Sequence, residues 1–171
     1  MCSEITFEVG RLRKLPDLVS ALGGGPVLVI ADAIFVEFGA TEKLKHLLYE
    51  KRIPVEIAAE VSGKPEETLV DALCDRARLA SAKVVVGLGG GAAMDTAKLV
   101  AAIAPFGQLA NTFALAAQTL PKNGLPAIAI PTTAGTGSEV TRTSVISTSD
   151  GAKIWFWARN SCFLRRSWIQ N

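Results

Sequence analysis

The 171-residue sequence predicts an α/β fold: a parallel, doubly wound sheet with helices on both faces, followed by a β-hairpin. Three observations predict it. Continuous apolar runs such as Val27-Leu28-Val29-Ile30-Ala31 and Val84-Val85-Val86 mark strands covered on both faces. Stretches with apolar residues at helical spacing separate those runs, so strand and helix alternate. From Val140 the pattern changes to two short runs around Ser149-Asp150-Gly151, and Asp-Gly suits a tight reversal.

Taken in order, Ile5 to Val9 alternates like an edge strand. Leu12, Leu15, Leu18, Val19 and Leu22 have helical spacing, and Gly23-Gly24-Gly25-Pro26 stops that helix. The apolar run Val27 to Ala31 is the next strand. A helix from about Thr41 to Lys51 leads to a strand at Ile53 to Ala58, and a helix from about Pro65 to Ala80 leads to one at Lys83 to Leu88. A helix starting near Ala92 precedes the strand Ala127 to Ile130. The signals between Pro105 and Leu125 are mixed. Val140 to Ser147 and Ala152 to Trp157 form the hairpin.

The bulk composition narrows the function classes. A hydrophobic fraction of 49% in 171 residues suits one domain with a real core. Eighteen basic and 16 acidic residues, scattered along the chain, give no cationic face for a nucleic acid. The N-terminus lacks the basic-then-apolar order of a secretory leader, and the apolar stretch Leu99 to Leu120 is broken by Pro105, Gly107, Gln108, Asn111 and Gln118, so no membrane span is expected. Cys2, Cys74 and Cys162 are too far apart for a disulfide framework, which fits a reduced, cytoplasmic setting.

Two loops carry the chemistry. Gly87-Leu88-Gly89-Gly90-Gly91-Ala92 follows a strand and opens a helix. Glycines there expose backbone amides and let the chain approach a pyrophosphate, while the helix dipole adds positive potential. The spacing alone would also suit an ordinary strand-to-helix turn. Asp95 falls in the first helical turn, where the dipole stabilises a carboxylate by about 0.3–1 kcal/mol. It is either such a cap or part of the ligand set, and Lys98 is spaced to pair with it. The second loop offers Thr132, Thr133, Thr136 and Ser138, interleaved with Gly135 and Gly137. Those hydroxyls could bond a ribose, a phosphate or a carboxamide, or close local turns. Two such loops in one small domain point to a dinucleotide.

Asp32 stands at the carboxyl end of its strand, where parallel sheets place ligands. A carboxylate there accepts from ribose hydroxyls and repels a 2′-phosphate, favouring NAD over NADP, although a turn cap is an equal reading. His46 is the single histidine and reads as an exposed helix residue. No set of ligands for zinc or iron is visible, and no nucleophile has a histidine partner. The sequence therefore offers a cofactor site and no catalytic residue.

Gly89 to Lys98, with Pro131-Thr132-Thr133-Ala134-Gly135-Thr136-Gly137-Ser138-Glu139-Val140-Thr141, resembles the iron-containing alcohol dehydrogenase family, and the likeness runs from Phe7 to about Arg159. The resemblance implies the family's N-terminal, Rossmann-like cofactor domain without its helical C-terminal domain. It also implies hydride transfer between NAD(P) and an alcohol, aldehyde or ketone. By that resemblance Asp32 selects the adenosine ribose and Gly89, Gly90, Gly91 and Ala92 hold the pyrophosphate. Thr132, Thr133, Thr136 and Ser138 line the groove, and Lys153 reaches a ribose. Ala92 stands where the family often has serine, and Lys64-Pro65-Glu66 stands where many members have Asn-Pro-Thr, which puts one adenosine-side contact at issue.

The family's Fe²⁺ or Zn²⁺ ligands, an aspartate and three histidines, lie beyond the part this chain resembles. Residues 1–159 are read as the dinucleotide-binding domain and 160–171 as an aberrant, frameshifted tail, because the apolar strand pattern is lost there. The expected partner is a small alcohol or aldehyde, with no nucleic acid and no membrane, and the chain is compatible with a homo-oligomer. The leading reading is an NAD-dependent alcohol dehydrogenase cut to its cofactor domain and inactive alone. The alternatives are a non-catalytic nucleotide-binding module, or a relative resembling maleylacetate reductase or dehydroquinate synthase.

Overall fold

The computed structural model describes residues 4–7, 10–157 and 165–168. The elements are β1 (Glu4–Phe7), α1 (Leu15–Ala21), β2 (Val27–Asp32), α2 (Ile34–Glu37), α3 (Ala40–Glu50), β3 (Val55–Val61), α4 (Glu67–Leu79), β4 (Val84–Gly89), α5 (Gly91–Ile103), β5 (Ala127–Pro131), β6 (Thr143–Ser147), β7 (Lys153–Trp157) and β8 (Arg165–Trp168). A six-stranded sheet has the order β1-β8-β5-β4-β2-β3, and every neighbouring pair in it is parallel. The hairpin β6-β7 is a separate antiparallel ribbon.

The continuous apolar runs exist because the sheet buries both faces. Val27, Val29 and Ala31 of β2 pack with Leu15, Val19, Leu44 and Leu48 of α1 and α3. The intervening Leu28 and Ile30 pack with Val70 and Leu73 of α4 and with Met94 and Val100 of α5. Successive residues of a strand point to opposite faces, so each side needs its own apolar set. Arg76 ties α4 to β3: its guanidinium donates to Glu56 Oε1 at 2.6 Å, Glu60 Oε1 at 2.5 Å and the Ile57 carbonyl at 2.8 Å.

Helix α5 is buried throughout from Ala93 to Ile103, including Asp95, Thr96 and Lys98, because the sheet lies under it and the hairpin lies over it. Strand β7 of the hairpin alternates between buried and exposed residues. Phe156 is fully buried, whereas its neighbours Trp155 and Trp157 are 41% and 58% exposed. With a period of two, one face of β7 enters the core and the other meets solvent.

Three differences from the sequence reading have local causes. Strand β3 starts at Val55 rather than Ile53 and runs on to Val61, because Pro54 has no amide for the ladder while Ala58 to Val61 continue beside β2. Residues 104–125 contain two 3-10 segments, Ala104–Phe106 and Ala110–Ala116, with Leu115 and Ala116 at positive φ. Here Asp71 Oδ1 accepts from the Ala110 amide at 2.8 Å, and Phe113 enters the core. Arg165–Trp168 form a parallel strand between β1 and β5 although they lack an apolar run. The rest of the segment read as aberrant lies outside the described residues. Among those described, no helix is long and apolar enough to cross a membrane.

Candidate functional site

The winding of the sheet opens a crevice. From β2 the chain crosses to β3 on one side, then returns to place β4 on the other. The segments leaving β2 and β4 therefore diverge, and the gap between their carboxyl ends is where open α/β sheets bind ligands. Asp32, the last residue of β2, stands at one side of this gap, and Gly89-Gly90-Gly91 stands at the other.

The two sides touch. The Gly90 amide donates to Asp32 Oδ2 at 2.7 Å. Gly89 adopts φ 147°, a backbone state that side chains disfavour, and a Cβ there would overlap the Asp32 carboxylate and meet Ala93 Cβ at 2.9 Å. Gly90 is the N-cap of α5 with no side chain capping it, so the first-turn amides face the crevice with the positive end of the helix dipole behind them.

The second loop lies over the first. The Thr132 amide donates to the Gly89 carbonyl at 3.0 Å. A Cβ on Gly90 would stand 3.4 Å from Thr133 Oγ1, and one on Gly91 would stand 3.1 Å from Ser138 Oγ. A cleft of about 300 Å³ extends from there, lined by Asp32, Ala33, Ile34, Phe35, Val61, Ser62, Gly63, Thr132 and Thr133. That size is at the small end for ligand pockets and suits a nucleoside rather than a whole dinucleotide.

The structure thus brings together Asp32, Gly89, Gly90, Gly91, Ala92, Thr132, Thr133 and Ser138. It gives Thr136 a different task, since its hydroxyl donates to Glu139 Oε2 at 3.0 Å and accepts from the Ser138 amide at 3.3 Å, closing the loop on itself. Asp95 is turned away from the crevice. Its Oδ1 lies 2.8 Å from Lys98 Nζ, and its Oδ2 accepts from the Val145 amide at 2.9 Å. Asp95 lies in the second turn of α5 rather than the first turn expected from the sequence, and the i, i+3 pair and the hairpin take both oxygens. Lys153 is exposed at the start of β7, opposite Ser147, and does not line the cleft.

Sequence reasoning missed Ala33, Ile34, Phe35, Val61, Ser62 and Gly63. The signal was available for Ser62 and Gly63, which directly follow a strand parallel to β2, but their types are those of any surface turn. Among the described residues no group of three or more His, Cys, Asp or Glu could hold a metal ion.

The family model for iron-containing alcohol dehydrogenases matches residues 2–163. The chain is 39% identical over 140 residues to long-chain-alcohol dehydrogenase 1 of Geobacillus thermodenitrificans, covering 81% of this chain and 35% of that protein. It is 30% identical to sulfoacetaldehyde reductase of Bilophila wadsworthia, covering 88% of this chain and 39% of that protein. The crystal structure of sulfoacetaldehyde reductase from Bifidobacterium kashiwanohense in complex with NAD+ superposes with a TM-score of 0.87 at 30% identity, over 98% of this chain and 44% of that one. The chain therefore spans less than half the length of the proteins it matches. Its two loops, its sheet and these likenesses agree, and the chain belongs to the iron-containing alcohol dehydrogenase family.

Proposed function

We propose that this chain is the NAD-binding portion of an alcohol dehydrogenase that interconverts an alcohol and an aldehyde or ketone. The observation that carries the reading is the contact of Asp32 Oδ2 with the Gly90 amide across the β2/β4 crevice. It sets a ribose-accepting carboxylate beside an uncapped helix N-terminus, the two groups an adenosine diphosphate needs side by side. The cleft lined by Asp32, Phe35, Val61 and Ser62 would take the adenosine, with ribose hydroxyls donating to Asp32. The Gly91 and Ala92 amides would hold the pyrophosphate, Gly90 would let it approach by lacking a side chain, and Thr132, Thr133 and Ser138 would border it.

When bound, NAD supplies hydride acceptance and return at its nicotinamide ring. The chain's own residues bind and orient it. The negative charge of Asp32 disfavours the 2′-phosphate of NADP. Two relatives support NAD by name, the sulfoacetaldehyde reductase complex with NAD+ and an NAD-dependent methanol dehydrogenase of Bacillus methanolicus. The described residues do not fit an iron or zinc ion, and no metal step is assigned to them.

Calorimetric titration tests the reading. NAD is expected to bind one to one and NADP about tenfold more weakly, a difference of about 1.4 kcal/mol. No heat from either dinucleotide overturns it. The 171-residue chain supplied with Fe²⁺ or Zn²⁺ is expected to oxidise no simple alcohol, and metal-dependent turnover would overturn the assignment of binding alone.

A further inference from the structure

Behind the groove, α5 buries an ion pair that no ligand contact explains. Lys98 is 2% exposed, and its Nζ lies 2.8 Å from Asp95 Oδ1. Burying two charges is less favourable than burying apolar residues of the same size unless the geometry gives something back. Three further bonds of the pair run to one short segment. Lys98 Nζ donates to Thr141 Oγ1 at 3.2 Å and to the Thr143 carbonyl at 2.5 Å, and the Val145 amide donates to Asp95 Oδ2 at 2.9 Å.

Residues 141–145 are where the second loop leaves the groove and becomes β6. The far end of that strand is fixed as well, since the Ser147 amide donates to the Pro65 carbonyl at 2.8 Å, two residues past the Gly63 that lines the cleft. One rigid helix therefore carries both lips of the groove. Its first residues are the glycine loop, and its second turn grips the segment that continues the hydroxyl loop.

We infer that Asp95 and Lys98 are positioning residues for the cofactor groove. By clamping residues 141–145 they hold the Thr132–Ser138 loop over the N-terminus of α5, and neither touches the cofactor. This rests on the NAD-binding reading above. It also explains why two charged groups at helical spacing occur inside a helix whose only other polar side chain is Thr96.

The test compares the full 171-residue chain with the double variant Asp95→Asn/Lys98→Met and with Thr141→Val, using NAD in calorimetry. The double variant leaves no uncompensated charge, so its thermal midpoint is expected to stay close to that of the wild type. Its Kd for NAD is expected to rise about tenfold at unchanged stoichiometry. Thr141→Val alters an exposed residue and removes one Lys98 partner, and is expected to raise Kd about threefold. Hydrogen exchange should quicken over 132–147 and nowhere else. A Kd unchanged in the folded double variant, or exchange quickened across the whole sheet, overturns the proposal. If the double variant does not fold, Thr141→Val decides, and an unchanged Kd there overturns it. A wild type that takes up no NAD removes the cofactor reading itself, and this inference with it. A wild type that binds, beside variants that bind equally well, removes only the positioning role.

Discussion

The carboxylate of Asp32 accepts a hydrogen bond from the Gly90 amide at 2.7 Å, joining residues 58 positions apart across the crevice between β2 and β4. One oxygen is fixed by this bond, and the other is left to meet a ligand. Asp32→Asn should keep a polar partner for Gly90 while removing the charge. The ratio of Kd for NADP to Kd for NAD is then expected to fall about tenfold, read by parallel titrations. A ratio that does not move assigns Asp32 to the turn alone.

Gly89→Ala is expected to destabilise the fold by about 2–4 kcal/mol, because it combines positive φ with overlap on Asp32 and Ala93. The measurement is urea unfolding. A loss below about 1 kcal/mol would show that the β4–α5 turn relaxes freely.

Lys98→Met alone leaves the Asp95 carboxylate buried without its cation. The expected cost is about 3–5 kcal/mol, largely recovered when Asp95→Asn is added. Unfolding curves of the four proteins of this cycle test it, and a double variant no better than the single variant contradicts it.

The Arg76 clamp on Glu56 and Glu60 is partly open to solvent, so its contribution is screened. Arg76→Gln is expected to cost about 1 kcal/mol in dilute buffer and less at high salt. The neighbouring acids, chiefly the hydrogen bond to Glu56, hold the guanidinium pKa above its ordinary value, so the cation persists across the accessible pH range.

Burial pushes the Cys74 thiol from 9.0 to about 12. Above pH 9 the unfolded chain releases this proton and the folded chain keeps it, so stability falls as pH rises from about 9 towards 12. In the native state at pH 8, alkylation of the peptide containing Cys74 is expected to be negligible, rising only on unfolding, as followed by mass spectrometry. Rapid native alkylation would contradict the burial.

Much of the architecture was legible because its causes are local. Val84-Val85-Val86 and Ile128-Ala129-Ile130 announce buried strands by composition, and Gly89-Gly90-Gly91 announces a turn into a helix. The order of strands is another matter. Nothing in Val27 to Ala31 says that β4 and β3 will flank it, since pairing is decided by packing across the whole sheet. The site shows the same division. Asp32, Thr132 and Thr133 could be named from position and type, whereas Thr136 and Asp95 have suitable chemistry and are committed elsewhere. Thr136 closes on Glu139, and Asp95 on Lys98. Spacing reveals that a side chain can pair, but only the fold reveals whether a competing partner has reached it first.

The all-parallel pairing has a temporal consequence. Asp32, Gly90 and Thr132 come from three distant segments, and each central strand finds its partners only after a long crossover. Such non-local contacts form late and slowly, so no partly folded chain can present the groove. A ligand that recognises it selects the finished sheet alone and raises resistance to unfolding in proportion to the logarithm of its concentration. Melting the chain against rising NAD would then read out, in one experiment, both recognition and completed assembly.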